Sequence, residues 1–390
     1  MPEIIDWRTT PDPAGAVRAV VEALGTGRLA VLPTEAGYVV AASVQASAGT
    51  DDSRQFLAES AGPWSLAVTG VISAREWVPG LEPITGRLAR RLWPGPLTLA
   101  IPDPPSSRLP DWVRGCLLSA GAVHLRGPAH EVVLEVLHQL PGPLLLAEPP
   151  PALRHGLEAT PQRAPVTGVE LASALGERVT IVIDDGPVPF PAGTTVVEVA
   201  GGRWRVLRQG AVPADVIERQ TACLVVFVCT GNTCRSPMAE AMCKKRLSER
   251  LGCTPEELPR RGFVVVSAGL STFPGLPASA EAVAVAAAHG ADLSGHRSRD
   301  LSAELLLHAD CVLGMTRDHV EVLMEALGHG LESVPGTNPP RLLSPEGEDL
   351  ADPVGREHAV YEQCAAAIWK HVDTLTAELL GQSSPDRAAP

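Results

Sequence analysis

Cys229 and Arg235 are the residues whose types and spacing most directly indicate chemistry, and both lie in the segment CTGNTCRSP. A cysteine thiolate is a strong nucleophile, and an arginine guanidinium is a planar fork that binds two phosphate oxygens at once. Because a cysteine and an arginine often fall at this spacing by chance, the residues around them must support the interpretation. Together the two side chains suggest nucleophilic attack on a phosphorylated substrate.

The elements on either side of this segment are predicted to form an anion cradle. Residues 224–228 (LVVFV) are a continuous apolar run, typical of a strand buried on both faces. Ser236 suits the N-cap of a following helix, and Pro237 suits its first position. A strand, a short loop and a helix in this order direct backbone N–H groups and the positive end of the helix at an anion above the loop.

Gly231 and Asn232 are predicted to shape the loop itself. Glycine permits a tight backbone turn, and asparagine can hold an unusual backbone conformation through hydrogen bonds of its side chain. The field at the start of the helix favours the thiolate form of Cys229. The predicted phosphate-binding loop comprises Thr230, Gly231, Asn232, Thr233, Cys234 and Ser236.

The loop sequence CTGNTCRSPMAE resembles the phosphate loop of the low-molecular-weight protein tyrosine phosphatase family. Four further segments follow in that family's order: residues 267–269 (SAG), 295–299 (GHRSR), 315–319 (MTRDH) and 352–355 (DPVG). The resemblance covers about residues 222–380 and implies a parallel-sheet α/β/α domain that forms a phosphocysteine. It implies that Cys229 is the nucleophile, that Arg235 binds the phosphoryl group, that Asn232 and Ser236 support the loop, and that Asp352 is the general acid.

Two residues bear on the substrate implied by this resemblance, a phosphorylated protein. Thr233 stands where phosphotyrosine-specific members usually carry an aliphatic residue and where members similar to protein arginine phosphatases carry threonine. A hydroxyl there can bind a guanidinium-type leaving group, so we expect phosphoarginine in preference to phosphotyrosine. Val354 replaces an aromatic residue that is usual in the family, which weakens packing against an aryl ring.

Other cysteines suggest further roles. Cys234 lies in the same loop, and a reversible disulfide with Cys229 is one hypothesis; a small apolar filler is the alternative. An arsenate reductase-like redox enzyme is a rival function, but it needs a downstream cysteine pair, and only Cys311 lies in the appropriate region.

His296 is predicted to be a structural hydrogen-bonding residue. The cysteines show no metal-ligand spacing, so no metal site is predicted, and the phosphatase chemistry requires no cofactor.

The first half resembles a second family, the YrdC-like threonylcarbamoyl-AMP synthases. Five segments carry the resemblance: residues 33–38 (PTEAGY), 92–99 (LWPGPLTL), 124–128 (HLRGP), 193–198 (GTTVVE) and 206–210 (VLRQG). It covers about residues 12–213 and implies a twisted α/β sheet with a nucleotide-binding face that makes threonylcarbamoyl-adenylate from threonine, bicarbonate and ATP for tRNA modification. ATP is therefore the candidate ligand, with Thr34, Tyr38, Arg126 and Thr195 as candidate binding residues.

Departures from this pattern favour a degenerate synthase-like domain. The family's Lys-x-Arg motif is missing, because no lysine precedes Lys244, and Ala147-Glu148-Pro149-Pro150 replaces a Ser-Ala-Asn signature. Residues 1–221 carry 18 arginines against 23 acidic residues, a net charge of −5, which disfavours RNA binding. Two alternatives stay open: a bifunctional enzyme that also makes threonylcarbamoyl-AMP, and a binding module that recognises a nucleotide or protein and directs the second half.

Length and composition fit this two-domain organisation. The chain has 390 residues and a net charge of −13, with no apolar run of 18 residues and no basic, apolar leader after Met1. These features predict a cytoplasmic protein without a membrane segment, and eight cysteines are too few for a disulfide scaffold. The predicted domains are residues 1–213 and 222–380, followed by a tail at 381–390.

Hydrophobic patterning places the motifs on alternating strands and helices. In the first half it predicts helices at residues 14–24 and 130–139, a hairpin at 194–208, and strands at 28–34, 64–70, 96–101, 122–126, 143–147 and 179–183. In the second half it predicts strands at 224–228, 263–266 and 311–313 and helices at 237–250, 278–289, 318–327 and 357–379. Strands that alternate with helices predict an α/β class and, in the second half, a parallel sheet.

Overall fold

The computed structural model describes residues 1–45, 64–102, 108–118, 121–148, 167–328 and 339–382. The chain forms two compact units, Met1–Ile217 and Glu218–Pro390. Each unit has its own β-sheet with helices packed on it, which confirms the predicted α/β class. Within the described ranges, no helix is long and apolar enough to span a bilayer.

The first unit is built on a mixed sheet. Its described strands are β1 (Glu3–Asp6), β2 (Ala30–Thr34), β3 (Gly37–Ser43), β4 (Trp64–Ala67), β5 (Leu97–Pro102), β6 (Ala122–Arg126), β7 (Leu144–Ala147), β8 (Ile181–Asp184), β9 (Thr195–Ala200) and β10 (Arg203–Arg208). They pair in the order β1-β8-β2-β3-β7-β4-β6-β5-β9-β10. The β4/β6 and β5/β9 pairs are parallel, whereas β2/β3, β3/β7 and β9/β10 are antiparallel.

Helices cover this sheet and bury its apolar face. They are α1 (Pro13–Gly25), α2 (Val71–Trp77), α3 (Pro83–Leu92), α4 (Asp111–Leu118), α5 (Glu131–Gln139) and α6 (Gly168–Leu175). A further helix, α7 (Ala214–Thr221), spans the boundary between the two units. Val20 of α1 and Val136 of α5 are fully buried in one cluster with Leu32 of β2. Asp12 begins α1 by accepting the Gly15 N–H at 2.8 Å, as an N-cap side chain does.

The second unit has a four-stranded sheet in the described residues, and every strand pair in it is parallel. Its strands are β11 (Cys223–Cys229), β12 (Phe263–Gly269), β13 (Cys311–Gly314) and β14 (Arg341–Leu342), paired in the order β12-β11-β13-β14. Its helices are α8 (Arg235–Leu251), α9 (Ala280–Ala288), α10 (Ala303–His308), α11 (Arg317–Leu327) and α12 (His358–Gln382). Because parallel strands end at one edge, the loops that follow β11, β12 and β13 gather there.

The central strand β11 is buried on both faces, as its apolar run predicts. Val225 and Phe227 belong to one core cluster, whereas Val226 and Val228 belong to a second cluster on the opposite face. Successive side chains of a strand point to opposite faces, so a strand between two helix layers needs apolar residues at every position. This burial fixes the position of Cys229 at the carboxyl end of β11.

Sequence patterning located most of these elements but missed several. β1 was missed because it is short and its side chains are exposed or partly exposed, which gives no apolar run. Helix α7 occupies residues predicted to contain the domain boundary, and the chain divides into its two units after Ile217. Helix α12 includes Gly381 and Gln382 of the predicted tail, and residues 383–390 lie outside the described residues.

Candidate active site

The Cys229 thiol lies inside the loop that joins β11 to α8, here called the phosphate loop (residues 229–236). Its sulfur is 3.0 Å from Ser236 Oγ and accepts the backbone N–H of Asn232 at 3.3 Å. Cys229 is 3% exposed. Two polar groups, the Ser236 hydroxyl and the Asn232 N–H, therefore lie against one sulfur at the start of a helix.

Asn232 provides the unusual backbone conformation of the phosphate loop. Its φ of 53° is the one positive φ of a non-glycine residue in the described residues. The buried side chain holds this conformation: its Nδ2 donates to Ser236 Oγ and Ser267 Oγ, each at 2.9 Å, and its Oδ1 accepts the Arg299 N–H at 2.9 Å. His296 Nε2 lies 2.8 Å from the Asn232 carbonyl oxygen, which is the structural role predicted for that histidine.

Gly231 does not supply the turn predicted for it. It lacks a positive φ, and an added Cβ would meet only Thr233 Oγ1, at 3.8 Å, within 4 Å. Asn232, the next residue, adopts the left-handed conformation instead, because its amide has three polar partners there.

The predicted N-cap of α8 is also wrong. The helix begins at Arg235 with Cys234 at the N-cap, and no side chain caps it. The Ser236 hydroxyl is used by Cys229 and Asn232, so it is not free to cap the backbone. Pro237 falls within the first helical turn, where a missing N–H leaves no intrahelical bond unmade.

A chain of hydrogen bonds continues from Asn232 to the surface of α8. Ser267 Oγ donates to Glu240 Oε2 at 2.6 Å, and Glu240 Oε1 accepts from Lys244 Nζ at 2.5 Å. Glu240 is 8% exposed. Because the Ser267 hydroxyl donates its hydrogen to the buried Glu240 carboxylate, its oxygen is left to accept from Asn232. Lys244 neutralises the charge of Glu240.

Arg235 and Asp352 form an ion pair across the phosphate loop. Arg235 Nη2 donates to Asp352 Oδ2 at 2.5 Å, and Nη1 donates to the Leu350 carbonyl at 3.2 Å. The arginine side chain is 6% exposed and the aspartate side chain 47% exposed. The structure thus brings together the three predicted catalytic residues. Cys229 and Arg235 lie in one loop, and the Asp352 carboxylate is paired with the Arg235 guanidinium.

Thr230 and His319 connect the phosphate loop to α11. Thr230 Oγ1 lies 3.0 Å from His319 Nε2. Burial, with a smaller contribution from nearby Arg235, lowers the pKa of His319 below its usual value, so the imidazole is neutral at neutral pH. His319 belongs to a segment that resembles the phosphatases, but no role was predicted for it from the sequence.

The second cysteine of the loop faces away from the solvent. Cys234 Sγ lies 3.3 Å from Ser279 Oγ and 3.5 Å from the Tyr361 hydroxyl, and Cys234 is buried. Burial, together with contact with the Cys234 thiol, raises the pKa of Tyr361 to about 12. The neighbouring Thr233 is partly exposed at the rim of the loop.

Two exposed apolar side chains lie on chain segments that contact or carry residues of this site. Phe273 is 81% exposed on the segment after β12, whose backbone is tied to the phosphate loop by a 3.0 Å hydrogen bond from Ser271 N–H to the Thr230 carbonyl. Val354, two residues after Asp352, is 58% exposed. Sequence reasoning considered Val354 but missed Phe273; an aromatic residue in a Pro/Gly-rich loop directly after a strand was the available signal.

In the first unit, Thr34 and Arg126 come together. Arg126 Nη2 donates to Thr34 Oγ1 and to Glu35 Oε1, both at 2.8 Å, and the arginine and glutamate side chains are each 6% exposed. Glu35 Oε2 also accepts the Ala129 N–H at 2.9 Å. The Arg126 guanidinium is therefore already paired with a buried acid of its own unit.

The other two candidates of the first unit bind separate parts of the backbone. The Tyr38 hydroxyl lies 2.9 Å from Asp184 Oδ1 and accepts the Asp185 N–H at 2.9 Å; burial raises the pKa of this phenol. Thr195 Oγ1 donates to the Val212 carbonyl at 2.8 Å and accepts the Gly210 N–H at 3.0 Å. These contacts are structural and do not converge on Arg126.

Glu148 makes a two-point ion pair with Arg208. Its carboxylate oxygens lie 2.6 and 3.0 Å from the two terminal guanidinium nitrogens, and Arg208 also donates to Thr194 Oγ1 at 3.2 Å. His124 lies close to both, and burial lowers its pKa. The Glu148 carboxylate thus takes up the hydrogen-bond donors of Arg208, which could otherwise bind an anion.

Comparison with known proteins assigns a family to each unit. The family model described as "Low molecular weight phosphotyrosine protein phosphatase" matches residues 224–384, and the Sua5/YciO/YrdC model, described as "Telomere recombination", matches residues 22–210. The chain belongs to both families. The second unit is 33% identical over 149 residues to "Probable low molecular weight protein-tyrosine-phosphatase EpsP" of Ralstonia nicotianae, covering 38% of this chain and 90% of that protein.

Two further relatives resemble one unit each. The first unit is 30% identical over 213 residues to "Putative threonylcarbamoyl-AMP synthase" of Mycobacterium tuberculosis, and the match covers 53% of this chain and 90% of that protein. The second unit is 34% identical over 163 residues to "Protein-arginine-phosphatase" of Bacillus subtilis, and the match covers 42% of this chain and 98% of that protein. The second unit is therefore a phosphatase-family domain, a hydrolase of phosphorylated proteins.

The described parts of both family domains hold no cluster of three or more histidine, cysteine or acidic side chains that could bind a metal ion. Three buried thiols of the phosphatase domain, Cys223, Cys243 and Cys311, lie near one another. Burial raises the pKa of Cys311 to about 11. A thiol that stays protonated is a poor nucleophile, which disfavours Cys311 as a redox cysteine of an arsenate reductase-like enzyme.

Proposed function

We propose that the second unit dephosphorylates protein side chains through a phosphocysteine on Cys229. The observation that carries this proposal is the arrangement of the phosphate loop: the Cys229 sulfur accepts the Asn232 N–H at 3.3 Å, and Arg235 lies in the same loop at the start of α8. A thiolate, a guanidinium fork and a helix N-terminus together bind and attack a phosphoryl group.

The reaction proceeds in two steps. Cys229 Sγ attacks phosphorus, the bond from phosphorus to the leaving oxygen or nitrogen breaks, and Asp352 gives that atom a proton. Water then attacks phosphorus as Asp352 takes its proton, and the phosphorus–sulfur bond breaks to release inorganic phosphate and the Cys229 thiolate. These steps need no metal or cofactor.

Asp352 also has to exchange partners during this cycle. A phosphoryl group bound by Arg235 competes with Asp352 for the guanidinium that now donates to it at 2.5 Å. Displacement frees the carboxyl to reach the leaving atom, and its 47% exposure leaves it room to move. Substrate binding and release of the acid are therefore coupled.

We further propose phosphoarginine as the preferred substrate and phosphotyrosine as the second candidate. Thr233 supports phosphoarginine, since its rim hydroxyl can bind a guanidinium but offers little apolar surface to a phenyl ring. The B. subtilis protein-arginine-phosphatase relative supports it as well. Phe273 is the observation in favour of phosphotyrosine, because its exposed aromatic ring, on the segment after β12, offers a phenyl ring the apolar surface that Thr233 does not.

The test is steady-state hydrolysis of matched phosphoarginine and phosphotyrosine peptides by the full chain. Cys229→Ser is the control and should abolish turnover on both peptides. Acid quenching of the wild-type reaction should trap phosphate on Cys229. Thr233→Ile should raise the ratio of phosphotyrosine to phosphoarginine turnover; an unchanged ratio would discard the specificity argument but leave the mechanism intact.

Cys234 is proposed as the redox partner of Cys229. Hydrogen peroxide would oxidise the pair to a disulfide with release of two waters, protecting the nucleophile from further oxidation. Reduction by dithiothreitol should then restore activity in the wild type. The same recovery in Cys234→Ser would remove this role and leave Cys234 as a buried filler.

For the first unit we propose a synthase-like domain whose catalysis is lost. Two internal ion pairs support this, Arg126 with Glu35 and Arg208 with Glu148, since each arginine is occupied by an acid of the same unit. Calorimetry with ATP, and pyrophosphate release with ATP, threonine and bicarbonate, test it. Binding without release would favour a nucleotide-binding module, and release would establish a bifunctional enzyme.

A further inference from the structure

His319 is placed to control one hydroxyl of the phosphate loop. It is the third residue of α11, and Thr316 is the N-cap. The Thr316 N–H donates to His319 Nδ1 at 3.1 Å, and the His319 N–H donates to Thr316 Oγ1 at 3.3 Å. This reciprocal pair is a capping box in which an imidazole replaces the usual carboxylate or amide.

The capping box decides the tautomer of His319. Because a backbone N–H points at Nδ1, that nitrogen must be an acceptor, and the ring proton of the neutral imidazole is on Nε2. Nε2–H therefore donates to Thr230 Oγ1, 3.0 Å away. Burial keeps the ring neutral by lowering its pKa, helped by Arg235 and opposed by the three nearby carboxylates, those of Asp318, Asp352 and Asp349.

This donation fixes how the Thr230 hydroxyl is used. Its oxygen already accepts a hydrogen from His319, so its own hydrogen must find another acceptor. No acceptor for it lies within hydrogen-bond distance in the described part of the chain. Thr230 is exposed and directly follows Cys229, so this hydrogen is available to a group bound at the loop.

We propose that His319 is a positioning residue that holds the Thr230 hydroxyl as a donor to the phosphoryl group bound above Cys229. This inference rests on the proposed phosphatase function of the same loop. Phosphoryl oxygens are strong acceptors that phosphotyrosine and phosphoarginine share, so the contact should serve both substrates equally. In this it differs from Thr233, which is expected to discriminate between them.

The first test removes the hydroxyl. Thr230→Val should lower kcat/KM for both peptides by about 10- to 100-fold, the loss expected for one hydrogen bond to a charged group. It should also weaken inhibition by inorganic phosphate, the probe that carries no leaving group. Thr230→Ser should restore both. Unchanged inhibition by phosphate, or a loss confined to one peptide, would overturn the proposal.

The second test asks whether His319 acts through Thr230. His319→Gln retains an acceptor for the Thr316 N–H and an N–H donor, whereas His319→Ala retains neither. His319→Ala should lose phosphate affinity and kcat/KM in the wild-type background but less than twofold more in the Thr230→Val background, and His319→Gln should lose less. Additive losses would show a merely structural role, and urea unfolding of each variant separates folding defects.

Failure of the two proposals can be told apart. If Cys229→Ser left turnover intact, the phosphatase mechanism would be wrong. If turnover required Cys229 but the two positions were uncoupled, only the role of His319 would be wrong. Calorimetry of inorganic phosphate binding gives the same coupling without any turnover, so an inactive preparation still tests it.

Discussion

Arg235 Nη2 donates to Asp352 Oδ2 at 2.5 Å, so the guanidinium proposed to bind phosphate and the carboxyl proposed to donate a proton are direct partners. A phosphoryl group must compete with Asp352 for this guanidinium. The general acid therefore has two opposing effects: it assists departure of the leaving atom and resists binding of the anion.

Asp352→Asn should separate these two effects. Turnover of a phosphotyrosine peptide should fall by about 10²- to 10⁴-fold, since the amide cannot protonate the leaving oxygen. Binding of inorganic phosphate, measured by competitive inhibition, should stay equal or become tighter because Arg235 loses a negative partner. Asp349→Asn is the matched control, a carboxylate three residues away that accepts the Arg317 N–H at 2.8 Å. Weaker phosphate binding in Asp352→Asn would contradict the competition.

Asn232→Ala should destabilise the second unit by about 3 kcal/mol and greatly reduce turnover. Alanine at a φ of 53° costs about 1–2 kcal/mol, and loss of the amide leaves Ser236, Ser267 and the Arg299 N–H without their partner. Asn232→Gly should recover the backbone part of the stability but not the activity. Hydrogen exchange of β11 reports the stability of this unit, and equal stability of the two variants would rule out backbone strain.

The phosphate loop shows how far sequence reasoning reaches. Residue types and local order predicted a loop between a strand and a helix that carries Cys229 and Arg235, and an unusual backbone at Asn232; the structure has both features. They placed the helix start two residues late, because Ser236 is a good N-cap in isolation and nothing local reveals that Cys229 and Asn232 use its hydroxyl. The supporting residues were missed for the same reason: Ser267 lies 35 positions from Asn232 in the chain.

Distance along the chain also limited the prediction for the first unit. Arg126 was predicted to bind a ligand, and its pairing with Glu35 was not foreseen, because Glu35 lies 91 positions away and only the fold brings the two together. Strand β3 was missed although it is almost wholly buried, since the chain offers only the two residues Glu35 and Ala36 between it and β2. The order of strands in the mixed sheet depends on such long-range pairings.

Glu240→Ala should lower activity from outside the loop. Glu240 accepts from Ser267 at 2.6 Å, and Ser267 accepts from Asn232, so removal frees Ser267 to rotate and weakens the support of the loop. We expect a loss of about 1–3 kcal/mol in unfolding free energy and a fall in kcat. Lys244→Met, which leaves the carboxylate on Ser267, is the control and should retain most of the activity. Wild-type kcat in Glu240→Ala would count against this relay.

Acid should destabilise the chain through buried histidines. Burial lowers the pKa of His371 and that of His124 below the usual value of about 6.5. The unfolded chain then binds protons more readily than the folded one, so stability is complete above pH 6.5 and is lost as the pH falls through that value toward the folded pKa. Urea midpoints between pH 7.5 and 5.5 should fall with pH. His371→Gln should flatten this slope, and an unchanged slope would contradict the role of His371.

Glu35→Gln should destabilise the first unit by about 3–5 kcal/mol, because it leaves the Arg126 charge buried without its acid. Glu198→Gln is the matched control: its partner Arg205 is 70% exposed, and loss of a surface pair costs about 1 kcal/mol or less. Hydrogen exchange of β2 and β6 measures both changes in the full chain. If Arg126 can also bind a phosphate of ATP, Glu35 competes with that phosphate for the guanidinium. Glu35→Gln would then bind ATP more tightly than the wild type, a result that calorimetry detects directly. Equal stability losses in the two variants would mean that Glu35 and Arg126 do not form a buried pair in solution.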